Sequence, residues 1–166
     1  SSWCICACQE KDAELDMCEF LLKLFTKESL PKDFNKYQIP WGDVILSLKS
    51  QGLEYRGVAP DYWVVYTDEE GWKKIIPYLV QPASDYVFEV ADCDDYAEYA
   101  SALCSKKFKL NGCFEVWGET PLGVHAWNLV LTSKNSYKMF DSNSGFDFAG
   151  ELFDNGTHDY IGKSWA

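Results

Sequence analysis

Residues 91–97, Ala-Asp-Cys-Asp-Asp-Tyr-Ala, decide the fold of this chain. Asp92 is a favourable N-cap residue, and acidic side chains in a first turn suit the positive end of a helix dipole. The pattern therefore predicts a helix over residues 92–106, with Cys93 in its first turn. A helix N-terminus favours a thiolate, but the neighbouring acids oppose one, so activation of Cys93 requires a nearby imidazolium.

One face of this predicted helix is formed mostly by small residues. It carries, at i, i+3, i+4, i+7 and i+11, the residues Cys93, Tyr96, Ala97, Ala100 and Cys104. Such a face can pack closely against a sheet. Cys104 is interpreted as a core residue of this face. Cys93 is either its first core residue or a nucleophile, and the residues that follow along the chain favour the nucleophile.

Three strands are predicted after this helix, over residues 113–117, 126–132 and 137–140. A turn joins the last two into a hairpin. The order of a helix followed by antiparallel strands predicts an α+β domain rather than a doubly wound one. His125 precedes the first strand of the hairpin and Asp141 follows the second, so both lie at the same open end.

A cysteine, a histidine and an acid in this arrangement are suited to nucleophilic catalysis. The thiolate of Cys93 attacks a carbonyl carbon, His125 transfers the proton, and Asp141 orients the imidazole. Taken alone, His125 is more often a structural histidine, and the set of three residues is what indicates chemistry. The second histidine, His158, has no such partners and is predicted to lie on the surface.

Three segments carry a resemblance to a known family. Cys93-Asp94-Asp95-Tyr96-Ala97, His125-Ala126-Trp127-Asn128 and Phe140-Asp141 resemble the transglutaminase-like core. They are also similar to the papain-like C-terminal protease domains of some fungal agglutinins and to related phage and bacterial proteins. The resemblance covers residues 91–145. It implies a papain/transglutaminase-like α+β fold, with the nucleophile helix packed on an antiparallel sheet.

The same resemblance implies a cysteine peptidase or transglutaminase-like acyltransferase that acts on a peptide or amide bond. Cys93 is then the nucleophile, His125 the base and Asp141 the orienting acid. The backbone N–H of Cys93 and the side chain of Gln81 are candidate oxyanion donors. Trp127 belongs to the core or to a wall of the substrate site.

Calcium is the metal that the agglutinin-type relatives imply. The nearest oxygen donors are Asp92, Asp94, Asp95 and Asn143. The alternative interpretation of the three acids is a capped, solvated helix start. Two other classes of function also stay open: a catalytically silent binding or structural module of phage-associated or lectin-associated type, and a divalent-cation-binding protein. A complete set of Cys, His and Asp favours the enzyme.

Composition limits the remaining possibilities. The chain has 166 residues, which predicts a single domain over 1–166 with its catalytic core at 91–145 and a less certain part at 1–80. A formal net charge of -11 disfavours nucleic acid and anionic membranes as partners. No apolar run is long enough to cross a bilayer. The 7 cysteines, an odd number, show no disulfide framework, which favours a soluble protein in a reducing, cytoplasmic context.

The flanking segments give weaker signals. Alternation over residues 3–8 predicts a short strand bearing Cys4, Cys6 and Cys8, whose thiols could bind a soft metal, although no second ligand cluster is evident. Helices are predicted over residues 12–27 and 71–79, and a strand over 61–66. Residues 42–49 form a helix or a strand, and residues 151–166 receive no assignment.

Overall fold

The structure, a computed structural model, describes residues 29–166, which contain seven strands and three α-helices. In chain order these are β1 (Tyr37–Pro40), α1 (Trp41–Ser50), β2 (Glu54–Tyr55), β3 (Trp63–Tyr66), α2 (Glu69–Ile75), α3 (Cys93–Phe108), β4 (Cys113–Thr120), β5 (Gly123–Ser133), β6 (Ser136–Phe140) and β7 (Ile161–Trp165). The strand predicted over residues 3–8 and the helix predicted over 12–27 lie outside the described residues.

Residues 31–166 form one compact unit around a five-stranded sheet. Its strand order is β2-β7-β4-β5-β6, and β1 pairs with β3 in a separate two-stranded sheet. Strands β4, β5, β6 and β7 pair antiparallel, whereas β2 runs parallel to β7. The α+β prediction is confirmed, and the predicted antiparallel sheet is corrected at this edge, where the pairing is parallel.

Helix α3 begins where the sequence predicts. The backbone N–H of Asp92 donates to Asp95 Oδ2 at 3.1 Å, and Asp92 Oδ2 accepts the N–H of Glu89 at 2.9 Å, so both acids serve the helix start. Lys109, in the left-handed conformation, ends the helix. The face predicted to pack on a sheet is buried at Tyr96, Ala97, Ala100 and Cys104.

A buried hydrogen bond joins this helix to the sheet. The Asn128 amide on β5 donates to the carbonyl of Ala97 at 2.8 Å. Side chains alternate across a strand, so Trp127 lies on the opposite face of β5. The small side chains of α3 allow this close approach, which fixes the first turn of the helix relative to the end of the sheet.

The predicted hairpin of β5 and β6 is present. Asn128 pairs with Phe140 and Leu129 with Met139. Strand β5 is longer than predicted and already includes His125. The ladder ends at Phe140, and the next residue, Asp141, therefore lies beside the start of β5.

The remaining elements complete the core. Residues 42–49, which the sequence left as a helix or a strand, lie in α1, and the helix predicted over 71–79 is a shorter α2 followed by a 3-10 turn at Ile76–Tyr78. Residues 161–165, within the unassigned segment, form a strand inside the sheet. No helix among the residues described here combines the length and apolarity needed to span a membrane.

Replacing Gly118 with alanine should destabilise the protein by about 2–3 kcal/mol, because overpacking forces backbone shifts. A Cβ at Gly118 would clash with the carbonyl oxygen of Ile161 on β7 and lie 2.7 Å from the ring of Trp127. The matched control is Gly42→Ala in α1, where a Cβ meets nothing within 4 Å. That change should stabilise the protein slightly. Urea denaturation of both variants checks the contrast, and equal effects would contradict it.

Candidate functional site

His125 and Asp141 form a hydrogen-bonded pair at the open end of the hairpin. His125 Nε2 lies 2.8 Å from Asp141 Oδ2. The side chain of His125 is 12% exposed and that of Asp141 is 2% exposed. Little water reaches the pair, so its electrostatic interaction is only weakly screened. The sequence predicted this contact from the hairpin register.

The thiol of Cys93 lies beside His125, close enough to influence the pKa of the imidazole. Cys93 is the first residue of α3 and is partly exposed. Burial is the largest single influence on the imidazole and opposes its positive charge. The hydrogen bonds and charges of Asp141 and Cys93 outweigh burial, and the pKa of His125 is raised to about 9. The imidazole is therefore positively charged at neutral pH.

Aromatic rings surround the imidazole of His125. The indole of Trp127 stacks on it at a centroid distance of 5.8 Å, and Phe146 and Tyr160 lie at 5.4 and 5.5 Å. Trp127 is fully buried, and its Nε1 donates to the sulfur of Met139 at 3.2 Å. Of the two predicted places for Trp127, the structure shows the core and not a wall of the site, and from there the indole supports His125.

Asp141 has two further hydrogen-bond partners. Its Oδ1 accepts the backbone N–H of Asn143 at 2.8 Å, and its Oδ2 accepts the hydroxyl of Tyr160 at 3.2 Å. Tyr160 is buried, and burial together with the charge of Asp141 raises the pKa of its hydroxyl. The carboxylate is thus held by three donors. Tyr160 was not among the predicted site residues, because it lies in the segment 151–166, which carries no recognisable pattern.

The change Tyr160→Phe should raise the pKa of His125 and lower the free energy of unfolding by about 1–3 kcal/mol. Asp141 Oδ2 accepts from both Tyr160 and His125, so losing one donor leaves more of its charge to stabilise the imidazolium. NMR titration of the His125 ring protons measures the shift. Tyr62→Phe, at an exposed tyrosine, is the control. A lowered or unchanged pKa of His125 in Tyr160→Phe would refute the prediction.

A cleft opens at the start of α3, beside the Cys93–His125 pair. Its volume is about 420 Å³, and it is lined by Tyr86, Phe88, Asp92, Cys93, Asp94, Trp117, Thr120, Leu122, Val124, His125, Asn143 and Phe146. Several of the apolar members are exposed, among them Phe88 at 73% and Leu122 at 85%. The cleft therefore has apolar walls, with acidic side chains and the thiol at the helix start.

Gln81, a candidate oxyanion donor, does not line this cleft, although its backbone pairs with Asn143, which does. It lines a different cavity together with Asp95 and Tyr96. Its side-chain amide donates to the carbonyl of Leu79 at 2.6 Å. The side chain of Gln81 and the backbone N–H of Cys93, at the start of α3, both stay predicted oxyanion donors.

The oxygen donors proposed for calcium are only partly brought together. Asp92 and Asp94 lie within 4.8 Å of each other and of the Cys93 sulfur. Asp95 accepts the N–H of Asp92, and Asn143 Oδ1 accepts the N–H of Gly145 at 2.9 Å. Calcium takes six to eight oxygen ligands, roughly, and thiolate is not among its usual donors. This donor set does not fit calcium, and the capped helix start accounts for these acids.

Comparison with known proteins shows similarity at the level of the fold. No protein-family model matches the chain, and no curated protein sequence is significantly similar to it. Among solved structures, the fold matches PSL1a in complex with E64, with a TM-score of 0.59 and 18% identity, over 77% of this chain and 50% of that one. It also matches the lectin of Polyporus squamosus bound to the epitope Neu5Acα2-6Galβ1-4GlcNAc, with a TM-score of 0.58 and 16% identity, over 77% and 49%.

These matches correct the class that the sequence predicted. The chain shares its fold with about half the length of a lectin. The prediction of a papain-like peptidase or a transglutaminase-like enzyme is wrong on this finding, and so is the prediction of a peptide or amide substrate as its partner. The nucleophile, base and orienting roles assigned to Cys93, His125 and Asp141 stay predictions.

Proposed function

We propose that this chain is a carbohydrate-binding module of the lectin-associated type and that its ligand site is the cleft at the start of α3. The observation that carries the proposal is the chemistry of the cleft walls. Aromatic and aliphatic side chains surround a small number of polar groups. Concave sites of this composition are typical of small-molecule binding sites.

The aromatic walls suit the apolar faces of sugar rings. Trp117 and Phe146 line the cleft with half-buried rings, and Tyr86 and Phe88 line it with exposed rings. Aromatic side chains offer large, rigid apolar surfaces at a low cost in conformational entropy. A pyranose ring presents C–H groups on its faces, so it can bury them against such walls.

The polar groups of the cleft suit hydroxyl donors. A hydrogen bond with Asp94 lowers the pKa of Asp92, which therefore stays an ionised acceptor at neutral pH. An ionised carboxylate only accepts hydrogen bonds. A ligand that satisfies Asp92 must offer donors, and sugar hydroxyls provide them around the edge of the ring.

The charge of the cleft favours an uncharged sugar. Asp92 and Asp94 border the cleft, and the formal net charge of the chain is -11. The epitope in the matched lectin structure carries Neu5Ac, which is an acidic sugar. Like charges repel in a cleft that water only partly screens. We therefore expect this chain to prefer neutral oligosaccharides to acidic ones.

Isothermal titration calorimetry with Galβ1-4GlcNAc and with Neu5Acα2-6Galβ1-4GlcNAc, the two probes taken from that epitope, tests the proposal. The neutral probe should bind more tightly than the acidic one. Phe88→Ala should weaken binding at least about tenfold, which corresponds to the loss of one good aromatic contact. Tyr62→Ala is the matched control, because Tyr62 is exposed to the same extent, 72% against 73%, and lies outside the cleft.

Two results would overturn the proposal. The first is no binding of either probe, or of other neutral oligosaccharides, at millimolar concentrations. The second is release of product from amide or peptide reporters in a manner that Cys93→Ala abolishes. That second result would show turnover at the cleft in place of simple binding.

A further inference from the structure

Two cysteines outside the cleft lie side by side in the core. Cys104 of α3 is 0% exposed, and Cys113, the first residue of β4, is 4% exposed. Helix α3 packs against β4 at this place. The neighbouring Cys113 and burial raise the pKa of the Cys104 thiol. Neither thiol lines the cleft, so the proposed function does not use them.

The contacts of Cys113 place its sulfur beside the turn of α3 that leads to Cys104. Ser101 Oγ lies 3.8 Å from the Cys113 sulfur, and Ser101 is one helical turn before Cys104. Because helical side chains lean toward the N-terminus, the Cys104 sulfur lies over the turn that carries Ser101, on the side where Cys113 packs. Ser105 Oγ donates to the carbonyl of Leu110 at 3.2 Å, which holds the connection between the helix and the strand close to the helix end.

We propose that Cys104 and Cys113 are a redox modification site, at which a reversible disulfide fastens the last turns of α3 to β4. The oxidant is a small-molecule disulfide such as oxidised glutathione. One cysteine thiolate attacks it and releases one glutathione thiolate, which forms a mixed disulfide. The second cysteine thiolate attacks the mixed disulfide and releases the second glutathione thiolate. Both thiol protons end on glutathione, so two cysteines are oxidised while one glutathione disulfide is reduced.

Burial sets the conditions for this exchange. Neither sulfur reaches solvent in the closed structure, so the first attack requires local opening of the end of α3. Once formed, the disulfide is equally protected from reducing thiols. Cross-linking two elements that already touch constrains the unfolded chain, so the oxidised form should be the more stable one.

The test uses the full chain, equilibrated with oxidised or reduced glutathione, quenched with iodoacetamide and digested without reduction. Mass spectrometry should find a peptide linked through Cys104 and Cys113 only in the oxidised sample. The oxidised protein should also melt several degrees higher than the reduced one. Cys93→Ser should keep the link, and Cys113→Ser should lose it.

The measurements on the unmutated chain stand alone if Cys113→Ser does not fold. The protein is also equilibrated with oxidised glutathione at urea concentrations that open α3. The proposal is overturned if iodoacetamide, added afterwards, still alkylates both cysteines. It is equally overturned if oxidation yields only separate glutathione adducts at the two positions, or if the linked protein melts below the reduced one.

Discussion

Iodoacetamide should alkylate Cys93 at least about tenfold faster, near pH 6, than it alkylates an ordinary exposed thiol. A free thiol with a pKa of about 8.5 is roughly 0.3% thiolate at that pH. The imidazole of His125 lies beside Cys93, and its pKa of about 9 keeps it positively charged there. A neighbouring imidazolium favours the thiolate, so fast labelling should persist as the pH falls.

The variant His125→Ala should lower this rate to that of an ordinary thiol. His158→Ala is the matched control, because His158 is the other histidine of the chain and lies exposed against Phe148. Peptide mapping by mass spectrometry assigns the label to Cys93 among the 7 cysteines. If Cys93 of the unmutated chain is labelled no faster than an ordinary exposed thiol, the predicted pairing of Cys93 and His125 is wrong.

The free energy of unfolding should fall by up to about 3 kcal/mol as the pH rises from about 6.5 to about 9. The pKa of His125 is about 9 in the folded protein, compared with 6.5 for an unperturbed imidazole. Between these values the folded protein holds a proton that the unfolded chain has released. The stabilisation is therefore complete below pH 6.5 and is lost as the pH rises through 9.

Urea denaturation over this pH range measures the effect, and Asp141→Asn should flatten the profile by removing the charge that stabilises the imidazolium. Asp147→Asn, at an exposed position, is the matched control. Glu115 also titrates nearby, because burial and the charges of Asp94 and Glu98 raise its pKa to about 7. Its contribution cancels when each variant is compared with the unmutated chain. Equal slopes for Asp141→Asn and the unmutated chain would contradict the prediction.

Local signals were enough to predict α3 and the hairpin. The acidic cap at Asp92 and the spacing of Ala97, Ala100 and Cys104 are properties of consecutive residues, and helix formation depends on such neighbours. A short turn determines the register of a hairpin, so the pairing of His125 with Asp141 could also be predicted from the sequence.

Contacts between distant segments were not predictable in the same way. Tyr160 reaches Asp141 because a later strand enters the sheet, and the sequence around Tyr160 carries no pattern that gives its partner. The sequence left Trp127 in the core or in a wall of the site, and Gln81 was a candidate donor only through the resemblance. Burial and cavity position depend on packing in three dimensions. The class of protein was missed for a related reason, since a set of site residues does not by itself define function.

The position of β7 in the sheet has a consequence for how the protein folds. This strand enters between β4 and β2, although more than a hundred residues separate it from β2 along the chain. Sheets built from such non-local pairings fold slowly. The entropic cost of closing a long loop comes before the stabilising contacts form. Until β7 arrives, one edge of β4 has unpaired N–H and C=O groups that can pair with another chain. Aggregation during refolding should therefore depend on how quickly this strand docks.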